Sequence, residues 1–327
     1  MPQLHSQSFF KKLCFSALIT ALFFACLEGS FRLIGIGSPE ELADYIAVWD
    51  VHWKNDFFLG DARQPGFNRD GVRDREHALA KPPGVTRIAC IGDSVTFGYK
   101  LPASQAYSSL LEQKLLTQGK RVEVFNIAMP GWTTRQQRYG YERIARPYSP
   151  DLVILGVCLN DVAEMKVNLT APPPQITSLL YQNTNLGRWL LRPHAREIYR
   201  VEELFERANE PRIQEGWQLL FDEVEQIARA VSNDGGEFVV LLFPFRMQVE
   251  PNPPQAIPQQ LFRDYCAHKS IRYLDGLEAL APLGAEGFVD YDHLSLLGAH
   301  AIAEQVILQG MHHLTDEHPV PLSVPAK

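Results

Sequence analysis

The chain has 327 residues, 46% of them hydrophobic and 21% charged, with a formal net charge of -7. That is globular composition, with material for one large domain or two small ones. The acidic balance speaks against a nucleic-acid binder, which would carry a basic surface, and there is no tandem repeat or long low-complexity tract.

Lys11 and Lys12 precede an uncharged run from Leu13 to Leu27. The run is shorter than the roughly 20 residues of a typical membrane span. The stretch from Glu28 to Gly37 stays mostly apolar apart from Glu28 and Arg32, so a span from about Leu13 to Ile36 fits. No convincing Ala-x-Ala cleavage site follows, and Phe-Phe-Ala before Cys26 matches a lipoprotein signal poorly. Residues 1–37 are therefore expected to be an uncleaved signal anchor; a cleaved signal peptide and a buried core helix are the alternatives. The basic pair puts the N-terminus inside and the bulk of the protein outside.

Residues 38–84 form a polar juxtamembrane segment with Trp49, Trp53, Phe57 and Phe58 interspersed. Arg87 to Gly92 then reads as a strand buried on both faces. It ends at Gly92-Asp93-Ser94, where a glycine allows a tight turn. Gln105 to Thr117 has helical spacing, and Val122 to Ala128 reads as a second strand. Thr133 to Arg146 reads as a helix capped by Thr133 or Thr134. Asp151 to Val157 is a third strand, Ile213 to Val231 a long amphipathic helix, and Glu237 to Phe245 a fourth strand. Ala256 to His268 reads as a helix, Ile271 to Leu274 as a short fifth strand, and Leu297 to Gly310 as a closing helix. This alternation predicts a parallel sheet covered on both faces.

Residues 168–211 break the alternation and read as an insertion with a helix around His194 to Arg207. Arg188, Arg192, Arg196 and Arg200 recur there every four residues, interrupted by Pro193. A solvated face balanced by Glu197, Glu202, Glu203 and Glu206 is the plain reading. A cap meeting an anionic substrate or lipid head groups is the other. The Asn168-Leu169-Thr170 sequon matters only in a glycosylating host. Of the five cysteines, Cys14 and Cys26 fall in the anchor. Cys90, Cys158 and Cys266 are odd in number and lack paired spacing, so they suggest neither a disulfide framework nor a zinc site. Cys90 and Cys158 read as small core residues, with a bridge between them as the lesser alternative.

Polar motifs stand at the carboxyl ends of three strands: Gly92-Asp93-Ser94, Asn126 to Gly131, and Gly156 to Asp161. Asp290-Tyr291-Asp292-His293 precedes the last helix. In a parallel sheet all such ends face one edge, where open α/β sheets place their ligands. The residue types suit acyl transfer. A serine hydroxyl needs a base to become a nucleophile, and His293 is a candidate for that base. Asp290, three residues earlier, can reach its Nδ1–H. The Ser94 and Gly131 N–H groups and the Asn160 amide can meet an oxyanion. Plainer readings exist: Asn160 and Asp161 as helix caps, Asp292 as a rival partner of His293, His300 as structural, and His268, His312 and His313 as surface residues. The imidazole is expected to lose its proton near pH 6.5 before any shift from the site.

GDSVTFG, NIAMPG, GVCLND and DYDH resemble, in order, the four sequence blocks of the SGNH (GDSL-type) hydrolase superfamily, over Arg87 to about Leu314. The resemblance implies a flavodoxin-like three-layer α/β/α sandwich, esterase-type chemistry, and no metal or cofactor. Mapped block by block, it implies Ser94 as nucleophile, Gly131 and Asn160 as oxyanion donors beside the Ser94 N–H, and Asp290 with His293 completing the triad. No Gly-x-Ser-x-Gly surrounds Ser94, which argues against an α/β-hydrolase. NRDGVRDRE, Asn68 to Glu76, loosely resembles membrane-anchored bacterial members. The expected layout is an anchor at 1–37, a juxtamembrane segment at 38–84, a hydrolase domain at 85–315 with its insertion at 168–211, and a tail at 316–327. The expected function is a serine ester hydrolase outside the cytoplasm that deacylates an envelope glycan, a lipid or a small ester. An O-acyltransferase moving an acyl group to a saccharide and a non-catalytic envelope scaffold are the alternatives. The expected partners are the ester substrate and the membrane, with no nucleic acid.

Overall fold

A computed structural model describes residues 3–38, 57–165, 175–195 and 197–311. The sequon, Arg196, His312, His313 and the tail lie outside the described residues. In chain order the elements are α1 (Gln3–Ile34), β1 (Thr86–Gly92), α2 (Ser94–Phe97), α3 (Tyr107–Thr117), β2 (Val122–Ala128), α4 (Thr134–Gly140), β3 (Leu152–Cys158) and α5 (Asn160–Met165). There follow α6 (Gln175–Asn183), α7 (Asn185–Ala195), α8 (Glu197–Glu206), α9 (Pro211–Asn233), β4 (Glu237–Phe243), α10 (Ile257–Lys269), β5 (Arg272–Asp275), α11 (Gly276–Leu280) and α12 (Leu296–Gln305). The chain divides into two compact units, Met1–Val51 with Thr170–Tyr199, and His52–Leu169 with Arg200–Lys327.

The larger unit is built on a five-stranded parallel sheet in the order β2-β1-β3-β4-β5. The strands are apolar on both faces, and every residue of β3 is buried. Right-handed crossovers fix where the helices go. The chain steps one way from β1 to β2 and the opposite way from β2 through β3 and β4 to β5. Helices of the first step and of the later steps therefore cover opposite faces. Accordingly α3 packs with α12, and α9 packs with α4 and α5. On α9, Ile213, Trp217, Leu220, Val224, Ile227 and Val231 form one buried stripe at helical spacing. The strand order reverses between β1 and β3, and open sheets bind ligands at that crevice. This is the expected α/β sandwich, and the described helices include one apolar enough to cross a membrane, over Lys11–Ile34.

Cys90, Cys158 and Cys266 are buried and free, so no Cys90–Cys158 bridge exists. Arg87 is fully buried within β1. Its guanidinium donates to Glu123 Oε2 at 2.8 Å and to the carbonyls of Ala78, Leu79, Ala80 and Tyr148. Five acceptors offset the cost of burying that charge, and they clamp the segment before β1 to the sheet. Residues 57–84 are part of the larger unit's packing: Val72 lies in the core, with Phe57, Phe58 and Phe67 against it.

The smaller unit holds α1, α6 and α7. The helix expected around His194 to Arg207 corresponds to α8, and α7 before it carries Pro193 in its last turn, with Arg196 between them outside the described residues.

Candidate active site

Gly92 ends β1 two residues before α2 opens at Ser94, the tight turn expected there, and close packing gives a second need for glycine. A Cβ there would lie 2.1 Å from Thr96 Oγ1 and 3.1 Å from the Gly156 carbonyl oxygen. On the neighbouring strand, a Cβ at Gly156 would lie 2.4 Å from the same hydroxyl. The two glycines clear the space that lets α2 sit directly on the edge of the sheet. Asp93 caps α2, with Oδ1 accepting the Val95 N–H at 2.9 Å. Ser94 is the first residue of α2 and is buried except for a narrow opening (8% exposed).

The flanking strands deliver the other groups. Gly92 pairs with Ala128 on one side, and Ile91 pairs with Leu155 on the other. Gly131 stands three residues past Ala128, and Asn160 five past Leu155, so both lie beyond the same edge as Ser94. Gly131 has φ +83°, a conformation that side chains with a Cβ rarely adopt. Trp132 fixes that turn by donating Nε1–H to the Phe58 carbonyl at 3.0 Å. Thr133, rather than Thr134, caps the helix that follows, in a capping box with Gln136. Asn160 opens α5 and is buried. Its neighbour Asp161 accepts from Thr134 Oγ1 at 2.9 Å and Gln137 Nε2 at 3.1 Å, which ties α5 to α4.

His293 arrives on a short loop. Phe288 and Leu294 form an antiparallel bridge, and the Val289 N–H donates to the His293 carbonyl. The Arg246 N–H donates to the Tyr291 carbonyl at 2.8 Å, which docks the loop just past β4. Asp290 Oδ1 accepts the backbone N–H of His293 at 2.9 Å and of Asp292 at 3.2 Å. The same carboxylate lies 2.8 and 2.9 Å from His293 Nδ1, and His293 Nε2 lies 2.9 Å from Ser94 Oγ. With the proton on Nδ1, the serine hydroxyl donates to Nε2. The structure thus brings Ser94, His293 and Asp290 into one hydrogen-bonded chain.

Three further neighbours of this chain have no counterpart in the expected constellation or only a secondary one. Asp292, fully buried, sets Oδ1 2.9 Å from the same Nδ1. Lys100 Nζ lies 3.1 Å from Asp290 Oδ2, and its backbone has φ +64°. The Tyr99 ring packs on the imidazole at 4.8 Å. Burial works against a charged His293, but hydrogen bonds and charge from Asp290 and Asp292 outweigh it and raise the imidazole to about 10. Burial likewise opposes ionised Asp290, yet bonding to His293 holds its carboxyl well below the usual range. Asp290, Asp292 and His293 are also the one group among the described residues whose ligand atoms sit within 4.8 Å of one another, as a cation would need. A cation there would compete with the Nδ1 proton that both carboxylates face.

The segment NRDGVRDRE turns out to support the site. Arg73 donates to the carbonyls of Phe97, Gly98 (2.9 Å) and Leu101 (3.1 Å), bracing the turn that carries Tyr99 and Lys100. Asp74 accepts the Asn126 N–H at 2.8 Å, and Asn126 Nδ2 donates to the Thr96 carbonyl and Ser108 Oγ. Asn126, at the head of NIAMPG, is thus a tie between β2 and α2. No local pattern in the sequence marks Arg73 or Asp74 for this, because their partners lie 24 to 52 residues away.

A serine, a histidine and a carboxylate linked at the carboxyl edge of a parallel sheet are the arrangement of serine hydrolases. Within that class, the chain belongs to the GDSL-like lipase/acylhydrolase family, whose model matches residues 90–301. It is 31% identical over 100 residues to an arylesterase of Vibrio mimicus, a match covering 31% of this chain and 48% of that protein. The chain thus spans about half the length of that curated relative. Solved structures of similar shape include a lipolytic G-D-S-L protein of Veillonella parvula (14% identity, TM-score 0.45, 68% of this chain and 97% of that one). Another is the lipase/acylhydrolase of Enterococcus faecalis (16% identity, TM-score 0.45, 68% of this chain and 94% of that one).

Proposed function

We propose that this protein is a serine ester hydrolase, held in a membrane by α1, that acts outside the cytoplasm on an acyl ester of an envelope glycan, a lipid or a small molecule. The observation that carries the reading is the Asp290–His293–Ser94 chain, with contacts of 2.8 to 2.9 Å. Neutral His293 takes the Ser94 proton on Nε2 as Oγ attacks the ester carbonyl. Asp290 holds the Nδ1 tautomer and stabilises the imidazolium that forms. The N–H groups of Ser94 and Gly131 and the Asn160 amide receive the oxyanion. The imidazolium then protonates the leaving alcohol. Water, activated by the same ring, attacks the Ser94 ester, releases the acid and restores the hydroxyl. Lys11 and Lys12 before the apolar run support the reading of the side of the membrane.

The test is turnover of aryl esters and acetylated glycans by the wild-type chain and by Ser94→Ala. The variant should lose close to the roughly 10⁶-fold seen for triad serines while keeping normal cooperative melting. Retained turnover in folded Ser94→Ala would overturn the assignment. Acyl transfer to added saccharide in place of release to water would make the enzyme an acyltransferase.

A further inference from the structure

The smaller unit ties two helices of the insertion to the exit end of α1. The ties are specific. Glu28 accepts the Asn185 N–H on Oε1 and the Leu186 N–H on Oε2, each at 2.9 Å, so its carboxylate occupies the N-terminus of α7. Arg32 donates Nε–H to Glu28 at 2.7 Å and Nη2–H to the Asn183 carbonyl at 3.0 Å, at the end of α6. Arg188 donates to the Gly37 carbonyl at 2.8 Å, and Phe31 meets Trp189 edge to face at 5.5 Å. Glu28 and Arg32, the two charges that interrupt the apolar run, are thus the two that grip the turn between α6 and α7.

Helix geometry sets the depth of that turn. A hydrocarbon core of about 30 Å takes about 20 residues at 1.5 Å each. Counted from Lys12, it ends near Arg32. The α6–α7 turn sits at Glu28 to Arg32, within about 6 Å of that boundary. Interfacial helices lie at this depth, with their apolar faces about 5–10 Å into the headgroup and acyl boundary.

The faces fit. On α6, Ile176, Leu179 and Leu180 follow the i, i+3, i+4 spacing of one helix face and are 68%, 59% and 46% exposed. On α7, Leu190 is 55% exposed. Leu33 and Ile34, at the end of α1, are exposed as well. An apolar surface of this kind in water marks an interaction site.

We infer that the α6–α7 hairpin is an interfacial membrane element, which lays Ile176, Leu179, Leu180 and Leu190 into the leaflet that α1 exits. This rests on the reading of α1 as an anchor. The occupant is the bilayer itself, because the hairpin is hydrogen-bonded to α1 at the level where the span ends, and lipid that surrounds α1 there reaches the same faces.

The test uses the full chain in vesicles of phosphatidylethanolamine and phosphatidylglycerol. Cys14 and Cys26 are replaced by alanine, and the three remaining cysteines are buried. A polarity-sensitive thiol dye is then placed singly at Leu18→Cys in α1, Leu179→Cys, Leu190→Cys, and Gln118→Cys on the larger unit. The dyes at 179 and 190 should emit to the blue of the dye at 118, resist iodide, and be quenched by lipids brominated near the headgroup. If the dye at 18 sits in lipid while those at 179 and 190 match the dye at 118, the hairpin inference fails and the anchor stands. If the dye at 18 also reports water, the anchor reading fails, and the inference with it. A blue shift at 179 and 190 that vanishes as protein is diluted into excess lipid would assign the face to a second copy of the chain and overturn the inference.

Discussion

Two carboxylates face one nitrogen of His293, and removing one of them gives a signed result. Asp292 Oδ1 lies 2.9 Å from Nδ1, and Asp292 is almost fully buried. An opposite charge this close favours the cation by about 1–3 pKa units, or about 1.4–4 kcal/mol. The ring is raised to about 10 with both partners present. Since Nε2 must be unprotonated to accept the serine proton, kcat/KM rises with pH as the free enzyme loses that proton. The rising limb therefore lies above the ordinary 6.5, on the alkaline side. Asp292→Asn should move it down by about 1–3 pH units and so raise kcat/KM near neutral pH. Asp290→Asn should behave differently. Its oxygen can still accept the His293 and Asp292 N–H groups, so the loop holds. Its amide, however, would face Nδ1 with a donor and favour the wrong tautomer, at a kcat cost of up to about 10⁴. Stopped-flow acylation by an aryl ester across mildly acidic to alkaline pH reads both effects. A limb that stays in place or moves up in Asp292→Asn refutes the electrostatic account. A crippled Asp292→Asn beside a near-normal Asp290→Asn would make Asp292 the partner of the triad.

On the proposed role of the Asn160 amide as an oxyanion donor, Asn160→Ala should lower kcat by about 10²–10³ with little change in KM; steady-state kinetics on an aryl ester separate the two. Gly92→Ala should lose about 1–3 kcal/mol from overpacking against Thr96, and Thr96→Ala in the same chain should recover part of it in thermal melts. The protein should fractionate with membranes, and protease added to cells with opened envelopes should digest the larger unit; complete protection would refute the topology.

The sheet and the meeting of Ser94, His293 and Asp290 could be read from the chain because each depends on local pattern. Apolar runs such as Ile88 to Ile91 and Leu152 to Val157 mark strands buried on both faces, and a parallel sheet puts their polar ends together. Asp290 and His293 are three residues apart, so their meeting follows from a turn. What escaped the sequence is set by distant contacts. The turn at Gly92 is legible, whereas its close packing against Thr96 and the neighbouring strand is not. The second carboxylate on His293 depends on how residues 289–293 close on themselves. Asp292 was visible only as a rival to Asp290, whereas both face the ring. Lys100 and Tyr99 enter because Arg73 braces their turn, and nothing near Arg73 in the sequence announces it. In the insertion, Pro193 suggested a break at its own position, while α7 runs two residues past it.

With α1 as the membrane anchor proposed above, the contacts of residues 57–76 bear on how the larger unit could be released. Phe58 holds Trp132 beside the Gly131 turn, Arg73 holds the turn after α2, and Asp74 holds Asn126. A sheddase cutting ahead of Phe57 would leave every one of these ties on the departing fragment. A cut between Asp74 and β1 would sever the brace under Tyr99 and Lys100 from the sheet and part Asn126 from its carboxylate. Soluble enzyme set free by the first route should keep its turnover, and nicking by the second should switch the enzyme off.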